Sequence, residues 1–201
     1  MTADLILGGL TVSPDSGGRL HFWGEVYNLS TITQRWVRLT IRLLDAKDVP
    51  LMEQTDMLAL EWTLPGMRNP FHIVFDEPAQ GWEGYDMRLT ARIHEYGDSS
   101  VPQPQTQLEV EGVRLQKIDR GGLVCELTGQ VANRGDEPAG QIKVAGALYG
   151  SDGTVVGVES PYVHSEQPLQ PGECEPFGLK FYRVGDEPFE FRVWTQGRKL
   201  D

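Results

Sequence analysis

The chain carries one stretch twice. Gly24-Glu25-Val26-Tyr27-Asn28 returns as Gly129-Gln130-Val131-Ala132-Asn133, 105 residues later. At the same offset Leu43-Leu44-Asp45 meets Leu148-Tyr149-Gly150. With one residue of drift, Pro65-Gly66 and Pro70-Phe71 meet Pro171-Gly172 and Pro176-Phe177. An offset kept over this distance means a duplicated domain of roughly 95 residues, about the size of a small β-sandwich. The expected division is 1–95 for the first copy, 96–106 for a linker and 107–201 for the second. Each copy is long enough to bury a core of its own.

Inside each copy the hydrophobic pattern has period two, the signature of a strand with one face on a core. Leu20, Phe22, Gly24 and Val26 share a face, and Cys125, Leu127, Gly129 and Val131 repeat it. Val37, Leu39, Ile41 and Leu43 alternate inward next, matched by Ile142, Val144, Gly146 and Leu148. Beyond each Pro-Gly, Phe71, Ile73 and Phe75 correspond to Phe177, Leu179 and Phe181. In the last strand Tyr85, Met87, Leu89, Ala91 and Ile93 are expected inward, as are Phe189, Phe191 and Val193. Turn signals separate these runs: Asp15-Ser16-Gly17-Gly18, its echo Asp119-Arg120-Gly121-Gly122, and Asp152-Gly153. No amphipathic helix of useful length is visible. The fold class that follows is all-β, two tandem immunoglobulin-like β-sandwich domains. The linker's Pro102-Gln103-Pro104 is expected to be extended.

Asn28 and Asn133 end their strands and read as loop initiators, since Asn tolerates left-handed backbone and bonds its own turn. Asn28-Leu29-Ser30 also fits a glycosylation sequon. The start, Met1-Thr2-Ala3-Asp4-Leu5, has no secretory pattern, so glycosylation is not expected. The two cysteines, Cys125 and Cys174, would begin two strands that pair antiparallel and so lie at opposite ends. Free thiols are expected, because bridged Cα atoms must lie within about 7 Å.

The paired motifs resemble the FxLYD-type domain family, a group of prokaryotic immunoglobulin-like sandwiches. That pattern joins Gly-x-Val-x-Asn to Phe-x-Leu-Tyr-Asp and then Pro-Gly. Both copies keep the first and third parts. The middle part reads Ile41-Arg42-Leu43-Leu44-Asp45 in the first copy and Gly146-Ala147-Leu148-Tyr149-Gly150 in the second, so it is only partly kept. The resemblance implies a non-enzymatic interaction or accessory role and offers no catalytic residues. It also implies a frequently extracytoplasmic setting, whereas this chain shows no signal peptide or membrane span and reads as cytoplasmic unless a leader was removed.

Net charge is −11, shared as −5, −1 and −5 over 1–95, 96–106 and 107–201. An acidic surface of this kind disfavours nucleic acid and anionic membranes as partners. There is no nucleophile elbow, P-loop, dinucleotide fingerprint or Cys-x-x-Cys. His21, His72, His94 and His164 are the only histidines. With His21 and His72 each near the start of a strand, antiparallel pairing is expected to separate them, so no metal site and no cofactor is expected. The informative residues point outward. Trp36, Arg38, Thr40 and Arg42 alternate with the core positions of the third strand, and Arg88, Thr90 and Arg92 with those of the last. If the two strands share a sheet, the arginines gather on one face of an acidic protein. They could pair with local acids such as Asp86 or Glu95, or dock a protein partner or a second subunit. Trp23 and Tyr27, outward on the second strand, could contribute to docking or stack on sugar rings, or be covered. The expected function is a non-catalytic structural or protein-interaction module, an accessory subunit of a larger assembly. Carbohydrate binding by Trp23, Tyr27 or Trp36 is the alternative.

Overall fold

The structure is a computed structural model that describes residues 4–97, 101–120, 123–163, 167–182, 184–185 and 187–200. Three readings fall outside these residues: the second turn at Gly121-Gly122, the linker's Ser99-Ser100, and His164. Every regular element among the described residues is a strand, so the protein is all-β. Two compact units form, Met1–His94 with Gly153–Val155, and Glu95–Asp152 with Val156–Asp201. No helix among the described residues is long and apolar enough to cross a membrane.

The first unit runs β1 (Leu5–Pro14), β2 (Leu20–Asn28), β3 (Gln34–Leu44), β4 (Pro50–Met57), β5 (Trp62–Thr63), β6 (Arg68–Phe75) and β7 (Gly84–Ile93). One sheet is ordered β1-β2-β6. The other centres on β3, which pairs with β4, β5 and β7. All pairings are antiparallel. The inward residues of the two sheets, among them Leu20, Phe22, Val26, Val37, Leu39, Ile41, Leu43, Phe71, Ile73 and Phe75, form one buried core.

The second unit repeats the plan. It has β8 (Pro104–Gln105), β9 (Leu108–Arg120), β10 (Leu123–Asn133), β11 (Ala139–Tyr149), β12 (Val155–Glu159), β13 (Cys174–Phe181) and β14 (Glu190–Lys199). Its sheets are ordered β13-β10-β9 and β12-β11-β14-β8. The registers coincide with those of the first unit. Gly24 faces Phe71 where Gly129 faces Phe177, and Leu20 faces Phe75 where Cys125 faces Phe181. The motif glycine has a physical reason. A Cβ on Gly24 would lie 2.6 Å from Phe71 Cζ, and one on Gly129 would lie 2.9 Å from Phe177 Cζ. Only Gly lets the ring of the neighbouring strand lie across the backbone.

Positive φ angles fall at matching places too. Gly9 and Gly112 carry +58° and +63°, Trp36 and Gln141 +51° and +47°, Asp48 and Gly153 +60° and +82°, and Gly66 and Gly172 +72° and +83°. Trp36 and Gln141 sit where β3 and β11 shift register against β7 and β14, at a bulge in each unit. An aromatic or amide residue in this region is uncommon, and its recurrence marks a backbone feature set by the fold.

Several expectations change. Asn28 and Asn133 bond their own turns as expected, each Oδ1 accepting the amide two residues on, but without left-handed backbone, since neither is among the positive-φ residues. Both are fully buried staples. Asn133 Nδ2 donates to the carbonyls of Glu137 and Leu169, each at 2.9 Å, and its Oδ1 accepts the Gly135 amide at 3.0 Å. Asn28 Nδ2 donates to Ile32 at 2.9 Å and Thr63 at 2.7 Å, and its Oδ1 accepts from Ser30. With both amide protons engaged in a buried site, Asn28 is not available as a glycosylation acceptor. Tyr85 and Ile93, expected inward, are 40% and 62% exposed, because they stand at the ends of an edge strand with a neighbour on one side only. Phe189, also expected inward, is 78% exposed and precedes β14. Part of the expected linker is a strand, since β8 pairs with β14 at Gln105–Gly197 and Pro104–Arg198. Cys125 and Cys174 are free thiols, the first buried and the second exposed.

Candidate functional site

Two constellations stand out in the first unit. The first lies on the outward side of β3 and β7. Strand β3 has β4 on one side and β7 on the other, so its outward residues form rows. Arg38 lies between Met57 and Thr90, Thr40 between Thr55 and Arg88, and Arg42 between Glu53 and Asp86. The shared sheet therefore brings Arg38, Arg42 and Arg88 onto one face. Arg42 is neutralised there. Its Nε donates to Asp86 Oδ1 at 2.8 Å, and its second contact reaches Oδ2 of the same carboxylate. That bidentate pair holds the Asp86 carboxyl below its ordinary range and raises the guanidinium.

Arg38 and Arg88 are exposed and carry no acidic partner among the described residues. Arg92 is exposed as well, and its guanidinium lies 5.3 Å from the Trp36 ring centre. The other neighbour of that ring is Arg35, whose guanidinium sits 3.8 Å from it. Arg35 itself is buried and ion-paired to Glu61, at 2.7 Å from Nη2 and 2.8 Å from Nε. A buried Arg held by a carboxylate fixes the plane of the Trp36 ring at the bulge. Trp36, Arg38, Met57, Thr90, Ala91 and Arg92 together line an open pocket of about 410 Å³. The sequence pattern found its arginines and Trp36. It missed Arg35 and Glu61, whose pairing depends on where the chain turns back after β4.

The corresponding face of the second unit differs. Lys143 stands where Arg38 does and lies 5.4 Å from the Tyr162 ring. Arg192 donates to Glu190 at 3.3 Å and lies 5.3 Å from the ring of Tyr149. Lys143 and Arg192 are engaged by neighbours there, and Arg198, at the position of Arg92, is not free either.

The second constellation is on the outward side of β2 and β6. Trp23, a candidate for exposure, is buried at 3%. Its ring stacks on His21 and His72, with centres 5.0 and 5.1 Å away. His21 and His72, expected apart, are neighbours. The β2–β6 register sets Trp23 against His72 and His21 against Val74, which places the two imidazoles diagonally on one face. Their nitrogens, His21 Nδ1 and His72 Nε2, are 2.9 Å apart, and His21 Nε2 lies 3.2 Å from Asp15 Oδ2. A carboxylate only accepts, so Nε2 of His21 carries its proton. Nδ1 of a neutral His21 then accepts from His72 Nε2. Asp15 is itself fixed, because it accepts the amides of Gly17 and Arg19 and the Arg19 Nε–H.

Burial pushes the His72 pKa down to about 4, helped by the nearby His21 and Arg19. Burial and Arg19 also lower that of His21, against the pull of Asp76. Both rings are therefore neutral near pH 7. No serine, threonine or cysteine side chain among the described residues bonds either imidazole. No cluster among the described residues has three potential metal ligands. The array couples the β1–β2 turn to the sheet. Glu25, on the same side of β2 as Trp23, is buried against Arg68, whose guanidinium lies 5.5 Å from the half-buried Tyr27 ring.

No family model matches the chain, and no curated protein matches it. Among solved structures it is similar to red sea bream transglutaminase, with a TM-score of 0.25 and 12% identity, covering 94% of this chain and 29% of that one. The chain spans less than a third of the length of that structure, and a likeness at that level says nothing about function.

Proposed function

We propose that the chain is a non-catalytic protein-interaction module, an accessory subunit of immunoglobulin-like sandwiches of FxLYD type, in which the first unit makes the contact. The docking face is the outward side of β3 and β7, built on Trp36, Arg38, Arg88 and Arg92. The observation that carries this reading is the set of exposed arginines without acidic partners around a fixed tryptophan, in a chain of net charge −11. Arg and Trp are enriched among residues that dominate binding energy, and unpaired charge on a rigid sheet favours an acidic partner. The second unit keeps the scaffold and cations at the positions of Arg38 and Arg92, but has Gln141 in place of Trp36 and Trp194 in place of Arg88. Carbohydrate binding has less support, since Trp23 is buried and the Trp36 ring is stacked by Arg35.

The test is affinity capture from the native host with the full chain as bait. Arg38→Glu with Arg92→Glu is expected to lose the specific partner band while the chain stays folded. Capture unchanged by the double reversal would refute the docking face.

A further inference from the structure

The two units differ at one sheet edge. In the second unit β14 is flanked by β11 and, at Gly197 and Arg198, by the short strand β8. The register of the first unit gives these two positions their counterparts. Leu39 faces Leu89 where Val144 faces Thr195, so Ala91 and Arg92 correspond to Gly197 and Arg198. Among the described residues β7 pairs with β3 alone. Among the described residues, which begin at 4, nothing pairs with the edge of β7 that corresponds to the one β8 covers. That edge runs for the ten residues Gly84–Ile93, and it borders the pocket lined by Thr90, Ala91 and Arg92.

A bare edge presents a row of unpaired N–H and C=O groups and is a template for an added strand. The side chains beside this one say what kind of strand. On the outward side are Arg88 and Arg92, exposed, with Arg38 one strand in. On the inward side Met87, Leu89 and Ala91 are only partly buried against the core, and Tyr85 and Ile93 remain exposed. A second copy paired antiparallel about Thr90 fits poorly, because it would set Arg88 opposite Arg92, and like charges across strands repel.

We propose that the free edge of β7 binds an extended, acidic segment of another protein by strand addition. The added strand has acidic side chains at alternate positions over Arg88 and Arg92 and apolar ones between them, over Leu89 and Ala91. It occupies in the first unit the place that β8 occupies in the second. This rests on the docking reading above and gives it a binding mode and a partner chemistry.

The probe is a labelled ten-residue peptide of alternating Glu and Val, capped at both ends and titrated by fluorescence anisotropy into the full chain. A Lys-for-Glu version is the charge control. Two further versions are N-methylated at the Glu or at the Val positions, because an added strand bonds through one of its edges only. Saturable binding is expected, absent for the Lys peptide and at least tenfold weaker to Arg88→Glu with Arg92→Glu. One N-methylated version should bind at least tenfold more weakly while the other binds like the parent. Arginine-dependent binding that ignores both methylations overturns strand addition and leaves the docking face standing. Absence of binding by the Glu-Val peptide, or a concentration-dependent dimer of the chain that displaces it, overturns the proposal.

Discussion

Asn133→Ala removes the staple that recurs in both units, and its cost follows from the structure. The side chain is fully buried and makes three hydrogen bonds, two donated and one accepted. Each contributes a net 0.5–1.5 kcal/mol on a typical scale, or about 3 kcal/mol for the set. The two carbonyls are not orphaned by the change. Leu169 O still accepts the Ala139 amide at 3.0 Å, and Glu137 O still accepts Gln105 Nε2 at 3.1 Å. The added penalty for buried unsatisfied groups is therefore small, and about 3 kcal/mol stands as the expected loss. For a unit of this size that lowers the midpoint of thermal unfolding by roughly 12–24 °C. Urea unfolding of the full chain, followed by far-ultraviolet circular dichroism, measures it. Asn133→Asp should cost more than the alanine at pH 7, since a carboxylate would then face two carbonyl oxygens, and acidification should recover part of that difference. Asn28→Ala should behave like Asn133→Ala, its bonding being the same in kind. A loss under about 1 kcal/mol in both alanine variants, or an Asp milder than Ala at pH 7, would refute the staple argument.

Three further outcomes are expected. His72 is neutral in the fold, with its pKa about 4 against an ordinary 6.5, so the unfolded chain takes up its proton first on acidification. The stability it contributes is present above pH 6.5 and lost as pH falls from there toward 4, by about 3 kcal/mol. His72→Gln should flatten the stability profile in that window. Half-buried Glu159, pushed up to about 6, slopes the other way and is common to both proteins, so the difference between them is the readout. Gly24→Ala and Gly129→Ala should each destabilise by about 1–3 kcal/mol through overlap with Phe71 and Phe177, as measured by urea midpoints, and Phe71→Leu should partly rescue Gly24→Ala. A thiol reagent should label exposed Cys174 in the native protein, and reach Cys125 only on unfolding, because burial hides that thiol and raises its pKa.

What the sequence made legible is local and periodic. Alternation places Phe22, Leu39 and Phe71 in a core because a strand turns each second side chain the same way, and the internal offset carries that assignment to Leu127, Val144 and Phe177. The shared face of Arg38 and Arg88 follows once β3 and β7 are neighbours. What stayed hidden depends on register between distant strands. Nothing local says that Trp23 pairs with His72, so the imidazole pair could not be read. The bulges at Trp36 and Gln141 also leave no local signal, since neither residue type announces positive φ. The exposure of Tyr85 and Ile93 is a property of an edge, and alternation does not distinguish an edge from a centre.

The most direct test of the docking claim compares the two faces in one experiment. Full-length chains carrying Arg38→Glu with Arg92→Glu, or Lys143→Glu with Arg192→Glu at the second unit's face, are checked for native unfolding midpoints. They are then used as bait beside the unmodified protein. Partner capture should be lost with the first pair and retained with the second. Equal capture by both, or loss with the second pair alone, contradicts the assignment of binding to the first unit.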